Sequence, residues 1–389
     1  MKSIRDLKLE GRRLFLRVDF NVPLDGGRVT DATRIVETLP TVRLAAERGA
    51  RVLCASHLGK PKGKPNPTLS LAPVSSEFAA RLARPVRFVE DCVGPEAQRV
   101  AASLQEGEIL LLENLRFHPG EEGNDPDFAR GLAGLADLYV NDAFGAAHRA
   151  HASVVGVPNL FSEKAAGLLM EKEVRELSRL LDPVRPFAVI LGGAKISGKI
   201  DALRALARRA DVLLIGGGMA NHFVRALNLS VGRSLLEEES VPLAREILDS
   251  CKKEGKTIAL PCDFVVAKSP EDGARARTVG IAKIPDERMA LDVGPKTIEQ
   301  FKRLLAPART IFWNGPLGVF EHPPFDRGTK ALATLLAQSH AVTVVGGGES
   351  VAAVHAAGLA ERFTHVSTGG GASLEFLTEG MLPGIRALE

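Results

Sequence analysis

The chain has 389 residues, 50 of them basic and 47 acidic, and its formal charge of only +3 excludes a general nucleic-acid binder or a membrane-surface protein. That length exceeds what one hydrophobic core usually serves, and an apolar fraction of 45% can fill two, so two domains are expected. Cys54, Cys92, Cys251 and Cys262 form no CxxC pair and read as buried thiols of a reducing compartment. The opening MKSIRDLKLEGRR lacks the apolar core of a signal peptide, and no apolar run nears the ~20 residues of a membrane span, so a cytoplasmic protein is expected.

In chain order, short apolar runs alternate with stretches of helical spacing. The first half has runs at residues 13–19, 51–57, 86–91, 108–114 and 137–142. The second half has runs at 187–193, 212–218, 257–264, 310–315, 342–348 and 365–371. Continuous runs of this length, rather than strict alternation, suit strands covered on both faces of a parallel sheet. Residues 33–47, 72–82 and 200–209 carry helical spacing between them. The alternation predicts an α/β protein of two doubly wound, Rossmann-like parallel-sheet domains. Residues 162–181, with alternating charges and a stop at Asp182-Pro183, are predicted to form the helix joining a domain over 1–161 to a domain over 182–377.

Ligands of open parallel sheets bind beyond the carboxyl ends of the strands. In the first half those ends are polar and basic. RVDFNVP places Asp19 and Asn21 past one strand, and SHLGKPKGKP places His57, Lys60 and Lys62 past another. ENLRFH adds Arg116 and His118, and NDAFGAAHRAH adds Asp142, His148, Arg149 and His151. One such residue in a loop is commonplace. Several at successive strand ends, together with Arg34, predict an edge of cationic donors for a small, multiply anionic ligand.

In the second half LGGAKISGK, IGGGMA, WNGPLGVFE, VGGGES and STGGGAS follow five of the strands. Glycine lets backbone amides approach phosphate oxygens, and a following helix turns its positive end toward them, so five such turns predict a nucleotide. Residues 193–199 spell G-x4-G-K, but Ile200 stands where a P-loop needs Ser or Thr, so a Walker motif is not expected.

These motifs, in order from Arg17 to Glu375 and over nearly the whole chain, resemble the phosphoglycerate kinase signature. The resemblance implies a two-domain enzyme with a deep interdomain cleft. Its first domain binds 3-phosphoglycerate or 1,3-bisphosphoglycerate, and its second binds ADP or ATP with Mg2+. Asp19, Phe20 and Asn21, with Leu58, Gly59 and Lys60, would hold the glycerate, and His57, Arg116 and Arg149 the nontransferred phosphate. Arg34, Lys195 and Gly370, in the turn before the helix that follows residues 369–371, would act on the transferring group. Gly193, Lys195, Lys199, Asn314 and Pro316 would sit at the nucleotide phosphates, Gly216, Gly217 and Gly218 beside the adenosine, and Glu321 at the ribose. Gly347, Gly348, Glu349 and Ser350 would form the metal and phosphate loop, with Glu349 on the metal directly or through water. Residues 378–389 would return to the first domain, and the enzyme would act as a monomer without nucleic-acid or membrane partners.

Two positions depart from the family's usual motifs. Lys60 replaces the Arg of SHLGRP and loses its forked geometry, and Glu349 replaces the Asp of the metal loop. The acceptor oxygen is already a carboxylate, so alignment and charge neutralisation, rather than a base, are the expected catalytic devices, with histidines as binding groups. Two other readings remain at this point: another kinase or ligase that forms an acyl phosphate on a small acid, and a noncatalytic nucleotide sensor.

Overall fold

A computed structural model describes residues 1–194 and 196–389, so Lys195 lies outside the described residues. The chain divides into two compact units, Met1–Arg175 with Met381–Glu389, and Glu176–Gly380.

The first unit runs β1 (Arg13–Arg17), a hairpin of β2 (Leu24–Asp25) and β3 (Arg28–Val29), α1 (Thr33–Glu47), β4 (Arg51–Ala55), α2 (Ala72–Leu82), β5 (Arg87–Val89) and α3 (Gly94–Ser103). It continues with β6 (Ile109–Leu112), α4 (Pro119–Glu122), α5 (Pro126–Ala133), β7 (Leu138–Asn141), β8 (Lys164–Ala166) and the start of α6 (Leu168–Ser178). Its six-stranded sheet has the order β5-β6-β4-β1-β7-β8, parallel throughout. Leu14, Leu16, Val52, Cys54, Ile109 and Leu111 pack with Ile35, Leu39 and Val42 of α1 and with Val74 and Phe78 of α2. The intervening Phe15, Leu53, Leu110 and Tyr139 are equally buried on the other face. Burial of both faces is the reason the strands read as unbroken apolar runs.

The second unit contains β9 (Phe187–Leu191), α7 (Ile200–Arg209), β10 (Val212–Ile215), α8 (Met219–Ala226), α9 (Val241–Lys253), β11 (Thr257–Ala259), β12 (Asp263–Ala267), β13 (Arg277–Gly280) and β14 (Met289–Val293). It then has α10 (Pro295–Leu305), β15 (Thr310–Asn314), α11 (Arg327–Ala337), β16 (Val342–Gly346), α12 (Gly348–Ala356), β17 (His365–Val366) and α13 (Gly371–Glu379). Its main sheet is again six-stranded and parallel, in the order β11-β10-β9-β15-β16-β17. Ile190, Ile311, Trp313 and Val345 meet Phe301 and Leu305 of α10 and Leu332 and Leu336 of α11 in one core. After this unit the chain forms α14 (Pro383–Arg386) within the first, where the Gly384 amide donates to the Ala147 carbonyl at 2.8 Å.

Four expectations are corrected. The stretch 162–181 is helical only over Leu168–Ser178, because Lys164–Ala166 pairs with Tyr139–Asn141 as β8 and Gly167 then lies against the Asp142 carboxylate, where no side chain fits. The run 257–264 is two strands, broken at Pro261, which has no amide to donate. The second unit also carries a small antiparallel sheet, β13-β12-β14, of which only the start of β12 lay in an expected run. Cys54, Cys92 and Cys251 are buried, but Cys262 is exposed. Among the described residues no helix is long and apolar enough to cross a membrane.

In both sheets the chain leaves a central strand to one side and returns to its other side. The switch falls at β1 and β7 in the first unit and at β9 and β15 in the second. Beyond such points a crevice opens for a ligand.

Candidate active site

At the first switch point β1 delivers Asp19, Phe20 and Asn21, and β4 delivers His57, Leu58, Gly59 and Lys60. Two asparagines tie these turns together. Asn21 Oδ1 accepts the Gly59 amide at 2.9 Å, and Asn114 Oδ1 accepts the amides of Leu58 at 3.2 Å and Arg116 at 3.1 Å. The Phe20 amide donates to Ser56 Oγ at 2.8 Å, so Phe20 and Leu58 fix the turns while their side chains are buried. Lys60 is exposed.

The charges converge on this frame. Arg34, from the first turn of α1, donates to Asp19 Oδ2 at 2.8 Å, and His57 Nδ1 lies 4.0 Å from Asp19 Oδ1. Arg116 is 2% exposed and donates from Nη1 to the Gly59 carbonyl at 2.7 Å. Its Nε and Nη2 are buried without a hydrogen-bond acceptor, although Glu122 Oε1 lies 3.3 Å from Nε. Burial and the nearby Arg149 and Arg17 lower its pKa to about 10, so it remains charged at neutral pH. Arg149 is half-buried and donates to His148 Nε2 at 3.2 Å.

His57, His148 and His151 have lowered pKa values, so the positive charge of this edge lies in its arginines and not in these imidazoles, contrary to the sequence reading. Burial, followed by the charges of Arg17, Arg116, Arg149 and Arg34, holds His57 well below its usual pKa. Arg17 Nη2 lies 3.1 Å from its Nδ1, and because a guanidinium only donates, that nitrogen accepts and Nε2 carries the proton. His57 is therefore a neutral donor. His148 is also lowered, and His151 falls to about 4, both chiefly through burial. His118 does not join this edge; its Nε2 lies 2.7 Å from Asp91 Oδ1. Nor does Asp142, which is fully buried and accepts the Leu169 and Met170 amides at 2.9 and 3.1 Å at the start of α6.

A supporting layer escaped the sequence reading. Arg17 is fully buried inside β1, with Nε donating to Ser153 Oγ at 2.8 Å and Nη1 to the Val18 carbonyl. Ser153 in turn donates its hydroxyl and its amide to the buried Glu121 at 2.6 and 2.9 Å. A charge within an apolar strand was the available signal, since a buried guanidinium must find acceptors.

At the second switch point the crossing turns are built from backbone. Gly192 donates to the Asn314 carbonyl and Gly193 to the Pro316 carbonyl, both at 2.9 Å. A Cβ on Gly192 would lie 2.7 Å from the Gly315 carbonyl oxygen, and Gly193 has φ +95°, so both positions need glycine. A cavity of about 360 Å³ opens here, lined by Gly193, Gly217, Gly218, Pro316, Glu321 and Glu349 among the expected residues. Its apolar walls, including Leu235, Phe264, Met289, Leu291 and Val319, come largely from the antiparallel sheet and were not foreseen. Lys199 Nζ donates to Asn314 Oδ1 at 3.0 Å, and burial lowers its pKa against the opposing pull of Glu349. Gly347 packs on the Asn314 side chain.

Four expected residues serve the frame. Ser350 is fully buried and its Oγ accepts the Gly315 amide at 2.6 Å, and Gly216 packs against Leu317 rather than lining the cavity. Gly348 opens α12, as Gly370, with φ +54°, precedes α13. Glu349, exposed in the first turn of α12, is the lining carboxylate nearest the glycine turn, its Oε2 3.8 Å from where a Gly193 Cβ would stand. Of the two other acids lining the cavity, Asp292 is buried with both oxygens committed to the Val293 and Gly328 amides, and burial raises its pKa to about 7. A single hard oxygen donor suits Mg2+ that arrives already held by phosphates and water.

Comparison with known proteins converges on one family. The family profile described as phosphoglycerate kinase matches residues 4–380. Curated phosphoglycerate kinases of Moorella thermoacetica and Thermomicrobium roseum are each 53% identical, over 387 and 389 residues, covering 99% and 100% of this chain and 98% and 99% of those proteins. Solved structures of phosphoglycerate kinase from Coxiella burnetii (39% identical, TM-score 0.88) and Pyrococcus horikoshii OT3 (33%, TM-score 0.89) cover 99% and 100% of the chain and 98% of each structure. The chain belongs to the phosphoglycerate kinase family and with it to the phosphotransferases that use a carboxyl group as acceptor.

Proposed function

We propose that the chain transfers a phosphoryl group reversibly between 1,3-bisphosphoglycerate and ADP, giving 3-phosphoglycerate and ATP, with the glycerate on the first unit and the nucleotide on the second. The observation that carries this residue assignment is the Arg116 guanidinium, which keeps two buried donors without acceptors beside Arg149 and the neutral Nε2–H of His57. Buried donors are satisfied in native structures, so these await an anion. Arg116, Arg149 and His57 take the nontransferred phosphate, while Asp19 and Asn21 orient the glycerate hydroxyl and carboxyl.

Arg34 leaves Asp19 to meet the transferring group, where its fork neutralises charge that spreads over the phosphoryl oxygens. Lys195, Lys199 and the amides around Gly193 and Gly370 hold the nucleotide phosphates, and Glu321 the ribose. Mg2+, held by Glu349 directly or through water, would supply neutralising charge at those phosphates. No side chain needs to act as a base, because the acceptor is a carboxylate. The two half-sites belong to different units, so the reading includes a hinge closure on the ligands that excludes water. It also places the enzyme in the cytoplasm as a monomer.

A coupled assay offering MgATP and a panel of small carboxylic acids tests the substrate. Only 3-phosphoglycerate should drive ADP formation. Equal turnover with other acids would favour a broader acyl-phosphate kinase, and none with any acid a nucleotide sensor.

A further inference from the structure

A cluster outside both half-sites has the chemistry of a metal centre. Asp91, Cys92 and His118 each offer one ligand atom, and the three atoms lie within 4.8 Å of one another. They come from two segments of the first unit, the exit of β5 and the turn before α4. Asp91 Oδ1 accepts the Cys92 amide at 2.7 Å and lies 2.7 Å from His118 Nε2. The His118 ring stacks on Phe128 at 5.2 Å, which fixes its plane. Cys92 is a free thiol, 1% exposed, whereas the Asp91 and His118 side chains are 49% and 32% exposed. The cluster is thus floored by sulfur and open to solvent on the carboxylate and imidazole side.

We propose that Asp91, Cys92 and His118 form a binding site for a thiophilic divalent cation of the Zn2+ class, with solvent as the fourth ligand. One thiolate, one imidazole and one carboxylate select Zn2+ or Co2+ over Mg2+ and Ca2+, and three protein ligands with an open position are a recurrent zinc arrangement. Bond lengths of about 2.0–2.3 Å in a tetrahedron place ligand atoms roughly 3.3–3.8 Å apart. Binding therefore widens the Asp91–His118 contact and draws the sulfur in, side-chain motions of about an ångström. The Cys92 thiol gives its proton to solvent as the sulfur–metal bond forms, and His118, whose Nε2–H faces Asp91 in the resting cluster, moves that proton to Nδ1 through solvent so that Nε2 binds as neutral imidazole. No redox step is involved. The bound ion would tie the exit of β5 to the turn before α4.

The test is titration of the untagged, nucleotide-free protein with Co2+ alone under anaerobic conditions. One equivalent should produce a thiolate-to-cobalt charge-transfer band in the near ultraviolet, release one proton and be displaced by Zn2+. The thermal midpoint should rise with metal concentration, as mass action requires of a ligand that binds the folded state. Cys92→Ser should abolish the band while basal activity is kept. Asp91→Asn and His118→Gln, at solvent-exposed side chains, should each weaken Co2+ affinity at least ~10-fold, the scale of a lost ligand or its support. Cys262→Ser, which removes the exposed thiol, should leave the band unchanged. Absence of the band in the parent protein, its persistence in Cys92→Ser, or its loss in Cys262→Ser would overturn the proposal. Cobalt that binds without a thiolate band would belong to a carboxylate site such as Glu349, and that result would overturn it as well.

Discussion

Arg34→Ala should lower kcat by ~100–1000-fold and also raise the KM for 3-phosphoglycerate, for two separable reasons. Loss of one donor to charge that develops during transfer costs about 2.7–4 kcal/mol in the activation free energy. The second effect follows from the resting pair, in which Arg34 Nη1 donates to Asp19 Oδ2 at 2.8 Å. Without Arg34, the Asp19 carboxylate, 9% exposed, faces an anionic ligand with its partner gone. Unit charges ~4 Å apart at an effective dielectric of ~20 interact by about 4 kcal/mol, an upper bound here. Solvent around the 32%-exposed Arg34 position screens this to about 1–2 kcal/mol, a factor of ~5–30 in KM. The double variant Arg34→Ala/Asp19→Asn separates the two, since it removes the stranded charge but not the missing donor. Steady-state kinetics should show KM recovering and kcat remaining low. A single variant within about tenfold of parental kcat, or a double variant that regains turnover, would refute the role given to Arg34.

Other outcomes follow from the same geometry. His57 and His151 are neutral in the folded first unit but bind protons below ~6.5 once unfolded, so the unfolded state takes up more protons and stability falls as pH drops through that value. Asp142, raised to about 7 by burial, works with the opposite sign between ~3.9 and 7, because there the folded state holds the proton. His148 is lowered as well, so three histidines outweigh the one aspartate and the first unit loses stability as pH drops below ~6.5. Hydrogen exchange at β1 and β4 should therefore be faster at pH 5 than at pH 7 after correction for intrinsic rates, and equal protection would contradict the assignment. Gly192→Ala, with its Cβ forced to 2.7 Å from the Gly315 carbonyl, should weaken ADP binding at least ~10-fold by calorimetry. Unchanged affinity would move the nucleotide away from this turn. Trp313 is fully buried and donates from Nε1 to the Gly315 carbonyl at 2.7 Å, so its emission should change on ADP binding, and a constant spectrum at saturation would count against the phosphates lying here. Small-angle scattering should give a smaller radius of gyration with both substrates than with neither, and equal radii would remove the hinge closure.

Much of this was legible because the elements that carry the sites obey strong local rules. Residues 33–47, 72–82 and 200–209 are helices, as their apolar spacing predicts, and α2 takes its bounds from Pro73 in its first turn and from Ala83, in a left-handed conformation, after its last. What escaped depends on partners distant in the chain. Lys-Ala-Ala has no strand signature, and it is β8 only because Tyr139–Asn141 offers an edge. β13 reads RTVG with three of its four residues exposed, so it resembles a loop until β12 pairs with it. The apolar walls of the cavity at the second switch point belong largely to that small sheet and were lost with it.

The charge state of the proposed anion site was hidden for a deeper reason. A histidine beside basic residues in a motif reads as one more cation, yet burial, and after it the charges of four arginines from β1, α1 and the turns around Arg116 and Arg149, make protonation of His57 unfavourable. The consequence is functional. A site whose positive charge resides in arginines, and whose imidazole donates while neutral, does not lose charge as pH moves through the histidine range. Phosphate monoesters change charge near pH 6, so any pH dependence of glycerate binding between pH 6 and 8 should follow the ligand's own titration and not His57. His57→Gln, which can still donate one hydrogen bond, should then shift the whole KM curve upward without changing its shape between pH 6 and 8. A change in its midpoint would show that His57 titrates after all.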